Sequence, residues 1–355
     1  MDALQMTVAE LRRLDRVRNE RWCRGDGRIL VLRHPFKEPD FHETFLAWLE
    51  RNFPDVRRHF ELALLPAADV DLAGVRLLVP WLQDPVEAWS PPSLQDAARL
   101  AGRCIARGIP VVNHPARLSN AGKRSAARRL AAAGIRTPRM VEIDRSRPEA
   151  ARAALPGRIL LREDWRHGAP SVVVEPGSPI YPAAVDGYAR PIAVEFVDTR
   201  GPDGIIRKRR CLVAGAHGIA VHLLASMEWE VRGGNKLATP EILAEEAAHV
   251  TRPDRLVAAF RTALAALELD FAAFDYSLMP DGRPIVWEAN AFPTVRFGPP
   301  EPQLAYRDAP VHRSLAAMAG LYLDRAGLPV PDTIQALRSY RSPDDPQALR
   351  RLVRA

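Results

Sequence analysis

Apolar residues along this chain fall into two spacings. Leu11, Leu14 and Val17 recur every third residue among charges, which predicts an amphipathic helix over 8–22. At 28–32 the run Arg-Ile-Leu-Val-Leu has the unbroken apolar character of a buried strand. A Pro- and charge-rich breaker at 34–40 and a helix around Phe45, Leu46 and Leu49 follow it. Apolar runs at 60–65 and 75–82, a helical stretch over 93–107 and a short strand at 109–113 repeat the alternation. Alternating strands and helices predict a parallel sheet with ligand loops at the carboxyl ends of its strands. No GxGxxG follows any of these strands, so the dinucleotide fingerprint is excluded.

From 119 the pattern changes. A helix over 119–133 has Ser119 and Asn120 as candidate caps and Gly134 as its left-handed terminator. Strand-like runs at 158–162 and 171–175 flank a polar turn and read as a hairpin, and 191–197 with 210–214 begin a further sheet. Thr251 caps a helix with Pro253 at its first position and a core stripe of Leu256, Phe260, Leu264 and Leu267. Beyond about Leu328 the chain is polar, basic and Pro-containing, a peripheral tail or a closing helix.

Composition narrows the class. The 355 residues predict two or three domains. With 47% hydrophobic and 26% charged residues, the chain lies outside the disordered range. No uncharged apolar run reaches the length of a membrane span, and acids near the start argue against a signal peptide, so a soluble cytoplasmic protein is expected. Cys23, Cys104 and Cys211 have neither disulfide nor zinc spacing and read as reduced thiols. The net charge of +7 raises nucleic acid as a partner. Only Lys37, Lys123, Lys208 and Lys236 are lysines, however, a bias towards Arg rather than a designed basic surface. No nucleic-acid motif is present, and none is expected to bind.

The chemistry concentrates in 269–290. Asp281-Gly282 between two alternating runs reads as a two-residue hairpin turn. That turn sets Pro280 against Arg283 and carries the register down to Asp275 opposite Glu288, with Cβ atoms roughly 5 Å apart. Asn290 projects from the same face as Glu288. Facing carboxylates repel unless a cation lies between them, and an all-oxygen set suits a hard ion such as Mg²⁺. The alternative is a solvated hairpin face carrying unrelated acids. In the basic run 207–210, Lys208 and Arg210 point one way, and their neighbours are expected to face water. His217 and His222 are isolated and read as structural, and Trp229 as a packing residue. Loops at 34–37 and 81–85 follow strand ends, where substrate contacts belong.

Asp-Tyr-Ser at 275–277 followed by Gly-Arg-Pro-Ile-Val-Trp-Glu-Ala-Asn-Ala-Phe-Pro at 282–293 resembles the C-terminal signature of the ATP-grasp superfamily. Asn-His-Pro at 113–115, Lys123 and Gly-Ile-Arg-Thr-Pro at 134–138 are similar to its opening helix and following strand. Residues 159–162, 194–197 and 210–215 match later segments in order, so the resemblance covers roughly 109–325. The 210–215 segment is similar to ribosomal-protein glutamate ligase and glutathione synthetase relatives.

The resemblance implies an α/β fold with α+β grasp lobes. Residues 1–113 form a helix and an α/β domain, 114–190 the small lobe, 191–328 the C-terminal lobe with the Mg·ATP site, and 329–355 a basic tail. It implies an ATP-dependent carboxylate-amine ligase that works through an acylphosphate and releases ADP and phosphate. Its substrates would be a small-molecule or peptide carboxylate and an amine, with a homo-oligomer left open and no membrane partner. It implies that Asp275, Glu288 and Asn290 hold Mg²⁺, or Mn²⁺, that Lys123, Arg162 and Lys208 contact ATP phosphates, and that Glu195, Phe196 and Val197 receive adenine. Arg210 would face the migrating phosphoryl. Arg162 stands where the family usually has Lys, the following loop has the single glycine Gly168, and 291–295 lacks the usual Gly. A phosphotransferase on the same fold and a non-catalytic nucleotide-binding module are the alternatives.

Overall fold

The computed structural model describes residues 28–34, 40–67, 70–82, 85–165, 170–231, 234–298 and 301–341. The expected helix at 8–22, Cys23, most of the loop at 34–37, Gln83-Asp84, Gly168 and the tail after 341 lie outside the described residues. The chain forms two compact units, one of 1–116, 292–298 and 311–355, the other of 117–291 and 299–310.

The first unit holds a parallel sheet with β1 (Arg28–Arg33) between β2 (Phe60–Leu64) and β3 (Val75–Trp81). Ile29, Leu30, Val31 and Leu32 are all buried, as a strand covered on both faces requires. The expected strand at 109–113 reduces to a single parallel bridge between Leu78 and Val111. Pro110 lacks a donor and Asn113 turns the chain away at φ 51°. The helix Asp308–Ala326 returns to this unit. Tyr322 packs against Phe45 and Trp81, with ring centroids 5.7 and 6.3 Å apart. After Leu328 a short helix, Asp332–Arg338, buries Ile334 and Leu337.

The second unit contains two antiparallel sheets. The smaller orders β4 (Met140–Glu142), β7 (Pro191–Glu195), β5 (Ile159–Glu163) and β6 (Val172–Val174). The β5–β6 hairpin is the one expected. The larger orders β11 (Pro284–Asn290), β10 (Phe271–Leu278), β8 (Ile206–Ala214) and β9 (His217–Ser226). Phe260 of the helix Val257–Ala266 stacks on Phe274 at 5.4 Å and covers one face of this sheet.

Two expected helix starts are corrected. The 119–133 helix is a 3₁₀ turn (Pro115–Ala121) and then a helix over Lys123–Ala132. Asn120 does not cap it but donates to the Leu267 carbonyl, and Asp164 accepts the Arg124 N–H instead. Gly134 ends it at φ 76°, as expected. Thr251 terminates a preceding helix, Pro240–Val250, whose own N-cap is Thr239.

Candidate functional site

Alternation along the strands aims one set of side chains into a cavity of about 390 Å³ within the second unit. The small sheet contributes Met140, Leu160, Arg162 and Val194. The larger contributes Ile206, Lys208, Leu224, Asp275, Ser277, Trp287 and Glu288. The connection after β7 adds Glu195, Phe196 and Val197, and the segment after β9 adds Trp229 and Glu230. Around the connection after β7 the lining is mixed, with Phe196, Val197 and Trp229 beside Glu195 and Glu230, and around Asp275 and Glu288 it is charged.

At the charged end the facing pair is as expected: Asp275 is paired with Glu288 across the β10–β11 ladder. The compensating cation belongs to the protein. Arg210, cross-strand neighbour of Asp275 on β8, donates from Nε and Nη2 to the two carboxylate oxygens at 2.5 and 2.9 Å. Lys208 Nζ lies 3.6 Å from the same group. Burial favours a protonated Asp275, but Arg210 and then Lys208 outweigh it and hold its pKa down to about 2. Asn290 donates Nδ2–H to Glu288 Oε1 at 3.1 Å, so its amide oxygen remains an acceptor. Among the described residues no cluster of three or more His, Cys, Asp or Glu side chains is arranged to hold a metal. Two carboxylates and an amide oxygen still fit Mg²⁺, which takes one or two carboxylates together with waters and substrate phosphates.

Arg162 lines the cavity half-buried, and its side chain makes no hydrogen bond or ion pair with any described residue. Lys123 differs from the rest. It is 5% exposed, its ammonium donates to the Asp164 carbonyl at 3.1 Å, and it is not among the lining residues. Arg210 and Asn290 also stand behind the lining, acting on it through Asp275 and Glu288. The expectation that Arg207 and Arg209 face water is corrected: both bind Glu245 of the 240–250 helix, and Arg207 also binds Asp203. His222, paired with Arg210, is held neutral, its pKa pushed down to about 3 by burial and then by Arg210.

In the connection after β7, the N–H groups of Glu195 and Phe196 donate to the carbonyls of Arg139 and Arg158 at 2.8 and 3.0 Å. The Val197 N–H has no backbone partner among the described residues. Phe196 and Trp229 meet edge to face at 6.1 Å, so Trp229 both packs and lines the cavity. Reasoning from sequence passed over Met140, Leu160, Leu224, Ser277 and Trp287. Ser277 and Trp287 lie inside the quoted signature, and only the true strand register shows that they share a wall with Asp275 and Glu288.

No protein-family model matches the chain, and neither does any curated protein. Among solved structures, VanG D-Ala:D-Ser ligase from Enterococcus faecalis is similar at a TM-score of 0.52 and 14% identity, covering 84% of this chain and 99% of that one. D-alanine--D-alanine ligase from Bacillus anthracis gives 0.50 and 13%, covering 85% and 99%. The ATP-grasp ligase PsnB, complexed with a phosphomimetic variant of its minimal precursor, Mg and ADP, gives 0.50 and 14%, covering 77% and 93%. The chain has the ATP-grasp fold: two antiparallel sheets facing one cavity, preceded by a parallel α/β unit.

Proposed function

We propose that the protein is an ATP-dependent carboxylate-amine ligase working through an acylphosphate, with the nucleotide in the cavity of the second unit. The carrying observation is Arg162: a cation without an acidic partner among the described residues, lining the same cavity as Lys208, Asp275 and Glu288. A half-buried guanidinium without a counter-ion suits an anionic ligand, and its planar fork matches phosphate oxygens. Lys208 adds positive charge to the same cavity. The aromatic side chains of Phe196 and Trp229 and the Val197 N–H, which has no backbone partner among the described residues, suit a nucleobase presenting a ring-nitrogen acceptor.

Asp275, Glu288 and Asn290 would hold Mg²⁺, which when bound neutralises phosphate charge. Arg210 keeps Asp275 ionised from behind the lining at the same end of the cavity. There it would stabilise the oxygens of a phosphoryl group moving to a carboxylate. Lys123 would act from the small lobe's first helix. Positioning and electrostatics suffice for this chemistry, and no protein nucleophile is required.

The test is ADP release by the full chain with Mg·ATP against a panel of carboxylic acids and amines, with hydroxylamine added to trap the activated acid. ADP formation that depends on a carboxylate and yields a hydroxamate is expected, and Arg162→Ala should weaken ATP binding far more than adenosine binding. ADP release stimulated only by a hydroxyl compound would replace ligation with phosphotransfer. ATP binding without turnover would indicate a regulatory module.

A further inference from the structure

In the β8–β9 ladder Lys208 lies opposite Leu224, and Arg210 lies opposite His222. Lys208 and Leu224 both line the cavity, so alternation along β9 turns His222 to the same face of the sheet, one strand further from the carboxylates than Arg210. The bulge of this ladder begins only beyond these pairs, where Cys211 pairs with Ala220. His222 is half-buried, and its imidazole makes no hydrogen bond or ion pair with any described residue. Arg210 commits Nε and Nη2 to Asp275, and its Nη1 makes no such bond among the described residues. A guanidinium edge and a neutral imidazole therefore stand side by side, with Cβ atoms roughly 5 Å apart.

We propose that His222 is a catalytic residue of the ligation, whose unprotonated ring nitrogen accepts a hydrogen bond from the free amine that attacks the acylphosphate. The inference rests on the ligase reading above and deepens it by giving the second substrate a contact. Burial and the adjacent guanidinium keep the imidazole neutral, so one nitrogen is a donor and the other retains its lone pair. An amine held through one N–H keeps its own lone pair free to face the acyl carbon, which is the orientation a positioned attack requires. His222 stands outside the cavity lining yet beside Arg210, so it meets the nucleophile rather than the nucleotide. In the step, the nitrogen lone pair forms the C–N bond. The C–O bond to the phosphoryl group breaks with its electron pair on the leaving phosphate, which takes the proton shed by nitrogen. His222 orients the nucleophile and does not hold that proton.

The full chain is assayed with Mg·ATP and hydroxylamine as the amine, using whichever acid of an amino-acid and carboxylic-acid panel wild type converts fastest to its hydroxamate. His222→Phe keeps a ring of similar size without an acceptor. It should raise the KM for hydroxylamine about five-fold, the loss of one hydrogen bond, and keep the KM values for ATP and the acid within about two-fold. More ADP should be released per hydroxamate formed, because water then competes better for the activated acid. His222→Gln retains an acceptor oxygen and should recover most of the loss. Should the Phe variant fail to fold, His222→Ala is measured in its place with the same expectation. An unchanged hydroxylamine KM in the Phe variant, equal losses in the Phe and Gln variants, or a rise confined to the KM of the acid would overturn the role and leave the ligase reading standing. Hydroxamate formed by wild type from no acid of the panel would overturn both.

Discussion

Arg210 and Asp275 show how a single residue can serve stability and a site together. Asp275 is 3% exposed, and the Arg210 guanidinium satisfies both of its oxygens. Removing one partner of such a pair strands the other charge, at a cost of about 3–5 kcal/mol. Arg210→Met should therefore destabilise the fold by about 3 kcal/mol, the lower end because Lys208 remains 3.6 Å away. Adding Asp275→Asn should recover most of the loss in denaturant unfolding, and no recovery would mean that Arg210 stabilises by packing its stem. His222 carries the neighbouring pH dependence. Its folded pKa of about 3 lies below the ordinary 6.5, so below pH 6.5 the unfolded chain takes up a proton that the folded one refuses. Stability from this group is complete above about 6.5 and is lost as pH falls towards 3. Between pH 7 and 5 it amounts to about 2 kcal/mol. Unfolding of His222→Gln should lack that part of the acid slope, and an unchanged slope would assign it to other groups.

Elements explain what was legible in the sequence and what was not. Asp275 pairs with Glu288 as the turn dipeptide predicts, but through a different turn and a bulge. The turn is not two residues but three, 280–282, closed by the Met279 N–H on the Arg283 carbonyl, with Gly282 at φ 78°. That shifts the register by one, and the bulge at Trp287 shifts it back. A turn dipeptide marks the place of a hairpin but not its loop length, and a bulge has no sequence signature, so the carboxylates were legible and the indole wall was not. The helix starts failed for a similar reason. Thr239-Pro240 and Thr251-Arg252-Pro253 carry the same capping chemistry, yet Thr251 turns its hydroxyl back to the Ala248 carbonyl and ends a helix. At Gly218 on β9, a Cβ would meet both γ-methyls of Val257, the first residue of the 257–266 helix. Gly218→Ala should destabilise by about 1–3 kcal/mol, and adding Val257→Ala should restore part of it. Additive losses in thermal unfolding would show that the two positions do not share the space.

At the scale of the molecule, the helices covering the parallel sheet of the first unit include one that comes from more than 200 residues further along the chain. Tyr322 is fully buried, packs edge-on against Phe45 and accepts the Trp81 indole N–H at 3.1 Å, 241 residues away in sequence. Trp48 donates in the same way to His312 Nδ1 at 2.9 Å. Farther along, Arg338 of the last described helix reaches over Gly320, where a Cβ would leave it no room, and binds Asp324. Contacts this distant in sequence form only after a large loop has closed, so the first unit gains nothing from them until residues beyond 310 are present. Tyr322→Ala should cost about 3–5 kcal/mol, as deletion of a buried aromatic does. Tyr322→Phe should cost about 1–3 kcal/mol, because it deletes the hydroxyl that accepts the Trp81 N–H. A chain stopped at Pro310 should lose hydrogen-exchange protection in 28–33 while 271–278 stays protected, since the second unit packs its own core around Phe260 and Phe274. Equal protection of 28–33 in the shortened and full chains would mean that the sheet closes on its local helices, and Tyr322 would then merely decorate a unit that stands without it.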